Sequence, residues 1–404
     1  MIKQTQTKMF DFSDVGLDFC AGSKNKFPEV FKKMLATGYN PQTAASISIT
    51  GDQVTLTFGV NHGYVADRVL LVTATGGFNK EVYIDSVTSN TVTFTQAVTT
   101  GLTGTITTRV ASLGYNLVYE VGNIHIYKFK ALDETDLYLR LCFQDIAARR
   151  NCISPCIGKT ADLTLGTITD SNTLTENMSI TSPGNGFKWE FGYQASSTPD
   201  NYTYSQGYST YGLGVVIGSP YHLIVLSNSS TGTQRALNNG FFPTVCHDYD
   251  ILKYPVLMGY TYGSITSSFD QYESRNMRAY IGSLNTKLEK VISSPSTSYV
   301  FDHQYLASSA FLPSNIDNFN TTTIVPLPLF DVGSGQHLGY VAGGIFSVMS
   351  PKNTFPTGFQ QTPSSTVDID FNNRIFIHSL GSENSEGTNT GFVAFPVEEI
   401  KIGY

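Results

Sequence analysis

Cys246-His247-Asp248 sets a thiol, an imidazole and a carboxylate side by side. Nucleophile, base and orienting acid must instead converge in space from separate elements, so adjacency in sequence does not make a catalytic triad. The pair Cys152 and Cys156, in Cys-Ile-Ser-Pro-Cys, has the spacing of half a zinc site. A structural zinc takes four Cys or His ligands, and no second closely spaced pair completes the set. Two reduced thiols, buried or in a loop, are the expectation. Gly158-Lys159-Thr160 imitates the end of a phosphate-binding loop, but Ile153 stands where that motif needs its first glycine. Asp368, Asp370 and Asn372 imitate the first ligands of a calcium loop, with Asn373 in place of the obligatory glycine and Ser379 in place of the closing glutamate. Sugar hydrolysis needs two carboxylates facing one ring. Asp248 with Asp250, and Asp133 with Asp136, are the close pairs, and among 32 acidic residues such pairs arise by chance. No Gly-x-Ser-x-Gly elbow occurs. The expectation is therefore no catalytic, cofactor-binding or metal-ligating residue, and no enzyme.

The elements around these residues read as strands. Val54, Leu56, Phe58 and Val60 alternate with polar partners, Arg68 to Thr73 is a buried-type run, and Val82 to Val87 and Thr91 to Phe94 flank the turn Ser89-Asn90. Leu137, Leu139, Leu141 and Phe143 fall on one face, with Tyr138, Arg140 and Cys142 on the other, the pattern of a half-buried antiparallel strand. Further strands are expected at 118–121, 124–130, 187–193, 214–217, 222–227, 299–302, 323–327, 340–348 and 374–379. One amphipathic helix is expected over Pro28 to Thr37, with Pro in its first turn and Gly38 past its end. The charged stretch Asn285 to Ile292 is a second helical candidate. Lys159 to Gly186 is rich in Thr, Ser, Asn and Gly and reads as loops marking a boundary.

These elements predict a mainly β fold in three parts. Residues 1–44 and 111–158 form an N-terminal α+β domain, residues 45–110 a small β-module inserted into it, and residues 159–404 a larger β-sandwich or barrel-like domain. The 404-residue length accommodates two or three such domains.

Composition narrows the function. Charged residues are 14% of the chain, against about 25% in ordinary soluble proteins. Ser, Thr, Asn and Gln, 36 Gly, 23 Tyr and 26 Phe fill their place. A net charge of -7 argues against nucleic acid or an acidic membrane as partner. Met1 to Phe10 lacks a signal-peptide core, no run reaches the 18 apolar residues of a spanning helix, and five scattered Cys make no disulfide framework. A chain folding with reduced thiols in a cytosol is expected. Interfaces depart from ordinary surface in this same direction, with charge depleted and aromatics enriched, so a part of a larger assembly fits the composition.

The order of segments carries a resemblance. It runs through Gly16-Leu-Asp-Phe-Cys20-Ala-Gly22, the helix Phe27 to Leu35 closed by Ala36-Thr37-Gly38-Tyr39, His62-Gly63, Phe78 to Ile84 and Val87 to Phe94. It continues through Leu117-Val118-Tyr119, Leu137 to Leu141, Tyr221 to Val225, Gly240-Phe241-Phe242-Pro243 and Pro326 to Leu329 ahead of Leu338 to Gly344. This layout resembles a family of virion structural proteins of tailed bacteriophages, departing from it after Leu141. The resemblance implies a tail, neck or baseplate component, assembled in the bacterial cytoplasm into a symmetric ring or collar. Its implied partners are copies of itself, other virion proteins and the host surface. The alternative is a receptor-binding or polysaccharide-degrading tail appendage.

Overall fold

Among the described residues, α-helix forms where apolar spacing predicts it, and single 3-10 turns occur at Thr175–Asn177 and Asp250–Leu252. In the computed structural model, Lys26–Lys32 is α-helical and buries Phe27, Pro28, Val30 and Phe31. The expected helix does not stay regular to Thr37: Lys33–Thr37 winds as a wider π-turn, closed by the Gly38 N–H on the Lys33 carbonyl at 2.8 Å. Last-turn carbonyls have no partner within a helix. Here Met34 and Leu35 accept from the Leu113 and Tyr115 N–H groups, each at 2.9 Å, and Ala36 accepts from Ser112 Oγ at 3.0 Å. Gly38 sits at φ 71°, where a Cβ would lie 2.3 Å from the Val110 carbonyl oxygen. Description extends to residues 3–19, 26–145, 152–183, 186–191, 214–228, 236–261, 278–288, 291–293, 299–301, 305–306, 325–347, 350–351, 364–367, 374–379 and 392–400.

Between the helix and Leu113 the chain builds a seven-stranded sheet, in spatial order Tyr39–Thr43, Ile106–Val110, Val69–Ala74, Asn79–Val87, Thr91–Thr95, Gln53–Thr57, Ser46–Thr50. Tyr39 pairs with Val110, so the chain enters and leaves this module side by side, as an insertion requires. The module starts one strand before residue 45, because Tyr39–Thr43 is needed to cover the flank of Ile106–Val110. Its apolar side chains, among them Val54, Leu56, Leu70, Val72, Ile84 and Phe94, belong to one core with the helix and the following sheet. Ion pairs also tie it down: Arg68 to Asp14, Lys8 to Glu81 at 3.0 Å, and Arg374 to Asp67.

A six-stranded antiparallel sheet follows, in order Tyr260–Thr261, Phe187–Glu190, Cys152–Gly158, Asp136–Phe143, Ile124–Lys130, Asn116–Val121. Leu139, Leu141 and Phe143 face the helix, and the Phe27 and Phe31 rings meet Phe143 edge-on at 6.1 and 5.7 Å. From Arg140 onward the opposite face is buried too, contrary to the half-buried expectation, with Arg140 1% exposed and Cys142 fully covered, while Tyr138 stays part-exposed. The cover is the Thr-rich segment 159–183. It is no boundary: Asn177 Nδ2 donates to the Pro155 and Phe187 carbonyls, both at 2.8 Å, and joins the segment to strands on either side of it. The division expected at residue 158 is thus crossed by this sheet.

It is crossed again by the largest sheet. Ten strands run in the order Lys8–Asp11, Gly214–Ser219, His222–Asn228, Ala236–Phe242, Val256–Met258, Arg278–Ile281, Leu284–Leu288, Pro328–Asp331, His337–Val341, Thr244–Cys246. The N-terminal strand lies beside Gly214–Ser219, with Phe10 opposite Val216. The helix expected at Asn285 to Ile292 is instead strand through Leu288, paired with Arg278–Ile281, because Thr286 and Leu288 are buried on one face of it. The strand expected from Tyr340 to Val348 is two strands, His337–Val341 and Phe346–Ser347, parted at Gly343 and Gly344, the latter at φ 84°, and Val348 lies outside the described residues. A five-stranded sheet of Val325–Pro326, Phe346–Ser347, Phe392–Pro396, Arg374–Ser379 and Ser364–Val367 packs against it, Phe395 stacking on Phe242. The fold is mainly β, as expected, and no helix among the described residues is long and apolar enough to cross a membrane.

Candidate functional site

Each chemistry-bearing candidate of known position has a local partner that accounts for it. The Lys159 N–H donates to Asp170 Oδ2 at 2.8 Å, so a carboxylate already occupies the place a phosphate would take, and Lys159 Nζ lies over the Tyr254 ring at 4.4 Å. Cys152 and Cys156 are reduced and buried in one strand, and burial pushes the Cys156 thiol up to about 12. Asp248 and Asp250 both hold Lys253 Nζ, at 2.9 and 3.3 Å, which lowers the Asp248 carboxyl. Asp133 accepts from the Thr135 hydroxyl and N–H, and Asp136 from Lys130 and Lys128; both carboxyls are lowered. A glycosidase acid needs the opposite shift. Burial raises the Cys246 thiol, the His247 ring faces the His337 ring, and Asp248 turns to Lys253, so the three neighbours diverge. Asp368, Asp370 and Asn372 lie outside the described residues. No group of three metal-ligating side chains occurs among the described residues.

The buried charged groups act as fasteners. Asp14 accepts from Arg68 Nε and Nη2 at 2.8 Å each and from the Tyr39 hydroxyl at 2.7 Å, which joins its segment to the strand Tyr39–Thr43 and to the residue just ahead of the strand Val69–Ala74. Burial and then the Asp14 charge raise the Tyr39 hydroxyl; for Arg68, burial works against the charge but Asp14 outweighs it and the guanidinium is held more firmly protonated. Arg140 donates to the carbonyls of Gly166, Asn177 and Ile180, and so pins the 159–183 segment onto the sheet. His125 Nδ1 meets the Tyr127 hydroxyl at 2.9 Å, while its Nε2 is 3.9 Å from Glu120, whose carboxylate holds Lys32. Burial lowers His125 to about 4, so the ring is neutral near pH 7.

The surface is where the unassigned features lie. At one end of the ten-stranded sheet, Val245 pairs across to Tyr340, and the two are 61% and 48% exposed. The Tyr340 ring meets His337 at 4.8 Å, and His337 meets Phe330 at 5.4 Å. At the free end of the inserted module, Ser46–Thr50 pairs on one side with Gln53–Thr57. Its outward face is a lattice of uncharged polar groups in three rows: Ser46, Thr57, Thr91; Ser48, Thr55, Thr93; Thr50, Gln53, Thr95. Thr55 and Thr93 hydroxyls are bonded at 3.2 Å.

No family model and no curated protein matches the chain.

Reading the sequence for chemistry passes over these surfaces, because Val245, Tyr340 and the Ser, Ile and Thr side chains of 46–50 form no catalytic or ligating motif. The signal that marks them is a lack: Ser-Ile-Ser-Ile-Thr at 46–50 carries no charge, and neither does Thr244-Val245-Cys246. Sheet edges ordinarily carry Lys, Pro or a bulge that blocks pairing with another chain.

Proposed function

We propose that the chain is a structural component of a tailed bacteriophage virion, forming a symmetric ring or collar on the tail, neck or baseplate by binding copies of itself and neighbouring virion proteins. The observation that carries this reading is the exposed cross-strand pair of Val245 and Tyr340 at the end of the ten-stranded sheet. Patches of that kind on a surface poor in charge mark protein contacts. The order of segments resembling virion structural proteins supplies the setting. Modest contacts of one kind, repeated around a closed symmetry, suffice to hold a ring.

A tail appendage that recognises surface glycans is the second reading, favoured by the exposed Tyr249 between the solvated carboxylates Asp248 and Asp250. Aromatic faces stack on sugars while carboxylates bond their hydroxyls. Particles released by the organism that encodes the chain decide between these. Cryo-electron reconstruction is expected to show the chain in a ring with Tyr340 and Val245 covered by a neighbour. A particle lacking the chain overturns both readings, and density for it at the distal tip with that patch open to solvent favours the second.

A further inference from the structure

The inserted module ends in a strand edge complementary to itself, and the geometry points to a second copy of this chain as its occupant. Ser46–Thr50 is joined to Gln53–Thr57 by the two-residue turn Gly51-Asp52, with Thr50 opposite Gln53. Which main-chain groups face outward follows from the next pairing. The Gln96 N–H donates to the Asp52 carbonyl at 2.7 Å and the Phe58 N–H to the Asn90 carbonyl at 2.8 Å, so residues 52, 54, 56 and 58 bond toward Thr91–Thr95. Antiparallel bonding alternates. Residues 53, 55 and 57 therefore bond toward Ser46, Ser48 and Thr50, and the N–H and C=O groups of Ile47 and Ile49 point to the open side. Among the described residues no strand lies there.

The pattern Ser-Ile-Ser-Ile-Thr reads alike in both directions by side-chain class. Antiparallel pairing about a two-fold axis at Ser48 sets Ser48 against Ser48, Ile47 against Ile49, and Ser46 against Thr50. The outward groups of Ile47 and Ile49 then satisfy one another in about four main-chain bonds. A shift by one residue would put hydroxyl against isoleucine, so the centred register is selected by the side chains. Ile49 shows the same need from the inner face. It stands opposite fully buried Val54, yet is 44% exposed because the sheet stops beside it. A second copy covers it with Ile47. Charge does not oppose the approach, since the strand has none, and the hydroxyl lattice becomes continuous across six strands.

This rests on the assembly reading above only in that the partner is the same chain. Two-fold pairing joins subunits in pairs and adds to the head-to-tail contacts a ring requires. At a non-bonded pair the Ser48 Cα atoms lie about 4.5 Å apart, inside disulfide range, whereas Ser46 and its copy are separated by about 13 Å. The test uses the full-length chain with Ser48→Cys, Ser46→Cys and Ile49→Lys, under mild oxidation and in sedimentation velocity. The expected result is a covalent dimer from Ser48→Cys alone, and a dimer dissociation constant raised about tenfold or more by Ile49→Lys. No cross-link from Ser48→Cys, or equal cross-linking from Ser46→Cys, overturns the pairing. Rings that form without the Ser48→Cys cross-link and ignore Ile49→Lys overturn it and leave the ring reading standing. A cross-linked dimer from a chain absent from every particle supports the pairing and overturns the virion reading.

Discussion

Replacing Asp14 by Asn keeps the shape of the side chain and removes the charge that neutralises Arg68. Both side chains are nearly closed to solvent, 6% and 5% exposed, so water cannot take over the role of the lost carboxylate. Three hydrogen bonds from the Tyr39 hydroxyl and the Arg68 guanidinium converge on Asp14. Leaving one member of a buried ion pair without its partner costs about 3–5 kcal/mol. Arg68→Met alone should cost about as much, because it leaves the carboxylate buried beside only Tyr39 and the Asp11 N–H. Removing both charges, as Asp14→Leu with Arg68→Met, leaves mainly the Tyr39 hydroxyl unpaired, at about 1–3 kcal/mol. The double variant is thus expected to be more stable than either single one. Urea unfolding followed by the fluorescence of Trp189 measures this. That residue is the chain's one tryptophan, fully buried, with its indole N–H on the Met258 carbonyl at 2.8 Å. Far-UV circular dichroism checks that one transition is being followed. Single-variant costs below about 1 kcal/mol, or costs that simply add in the double variant, would refute the reasoning and class the pair with solvated surface pairs.

Other expectations follow the same physics. Arg140→Met should release the 159–183 segment from the sheet, read as faster hydrogen exchange at residues 166–180 and quicker labelling of Cys156 by a thiol reagent; unchanged exchange would show that Asn177 alone holds the segment. His125, lowered to about 4 by burial, and His222 and His378, each lowered to about 3, are neutral in the fold and take up protons near 6.5 when unfolded. Their contribution to stability is complete above pH 6.5 and is lost as pH falls toward their folded values, by up to about 1.4 kcal/mol per pH unit for each. Urea midpoints between pH 7 and 4 test this, and His378→Gln should flatten the slope. Gly240→Ala should destabilise the ten-stranded sheet, since its Cβ would lie 2.1 Å from the Leu223 carbonyl oxygen; thermal denaturation at the wild-type midpoint would show the idea wrong.

The fold was legible wherever one face of a strand is apolar and the other polar. Thr91-Val92-Thr93-Phe94 and Gln53-Val54-Thr55-Leu56 announce their register directly, with the apolar members buried and the others part-exposed or exposed. Legibility failed where both faces are buried, because cover from a distant segment leaves no periodic trace. Arg140 and Cys142 read as a solvent face, yet a stretch without regular pattern lies over them. It failed also at Asn285 to Leu288, where Lys287 gave a helical tone to a strand whose alternation is only four residues long. Long-range pairing is invisible for a related reason: nothing in Lys8-Met9-Phe10-Asp11 names Gly214–Ser219 as its neighbour. The surface features were legible only as missing charge, which composition reports for the whole chain and cannot assign to Ser46–Thr50 or to Val245.

The placement of that first strand has a consequence for how the protein is made. Lys8–Asp11 must wait until the ribosome has passed residue 219 before its partner exists, and the side chains of Thr7 and Gln6 bind main-chain groups of Glu398 and Ile400, 391 and 394 residues apart in the chain. Until then the strand has no neighbour to pair with, and Met9 lacks the core that closes over it. A chaperone that shelters Lys8–Asp11 as it emerges should raise the yield of native protein more than one acting after release, and circular permutation that brings Lys8–Asp11 next to Gly214 should relieve the dependence.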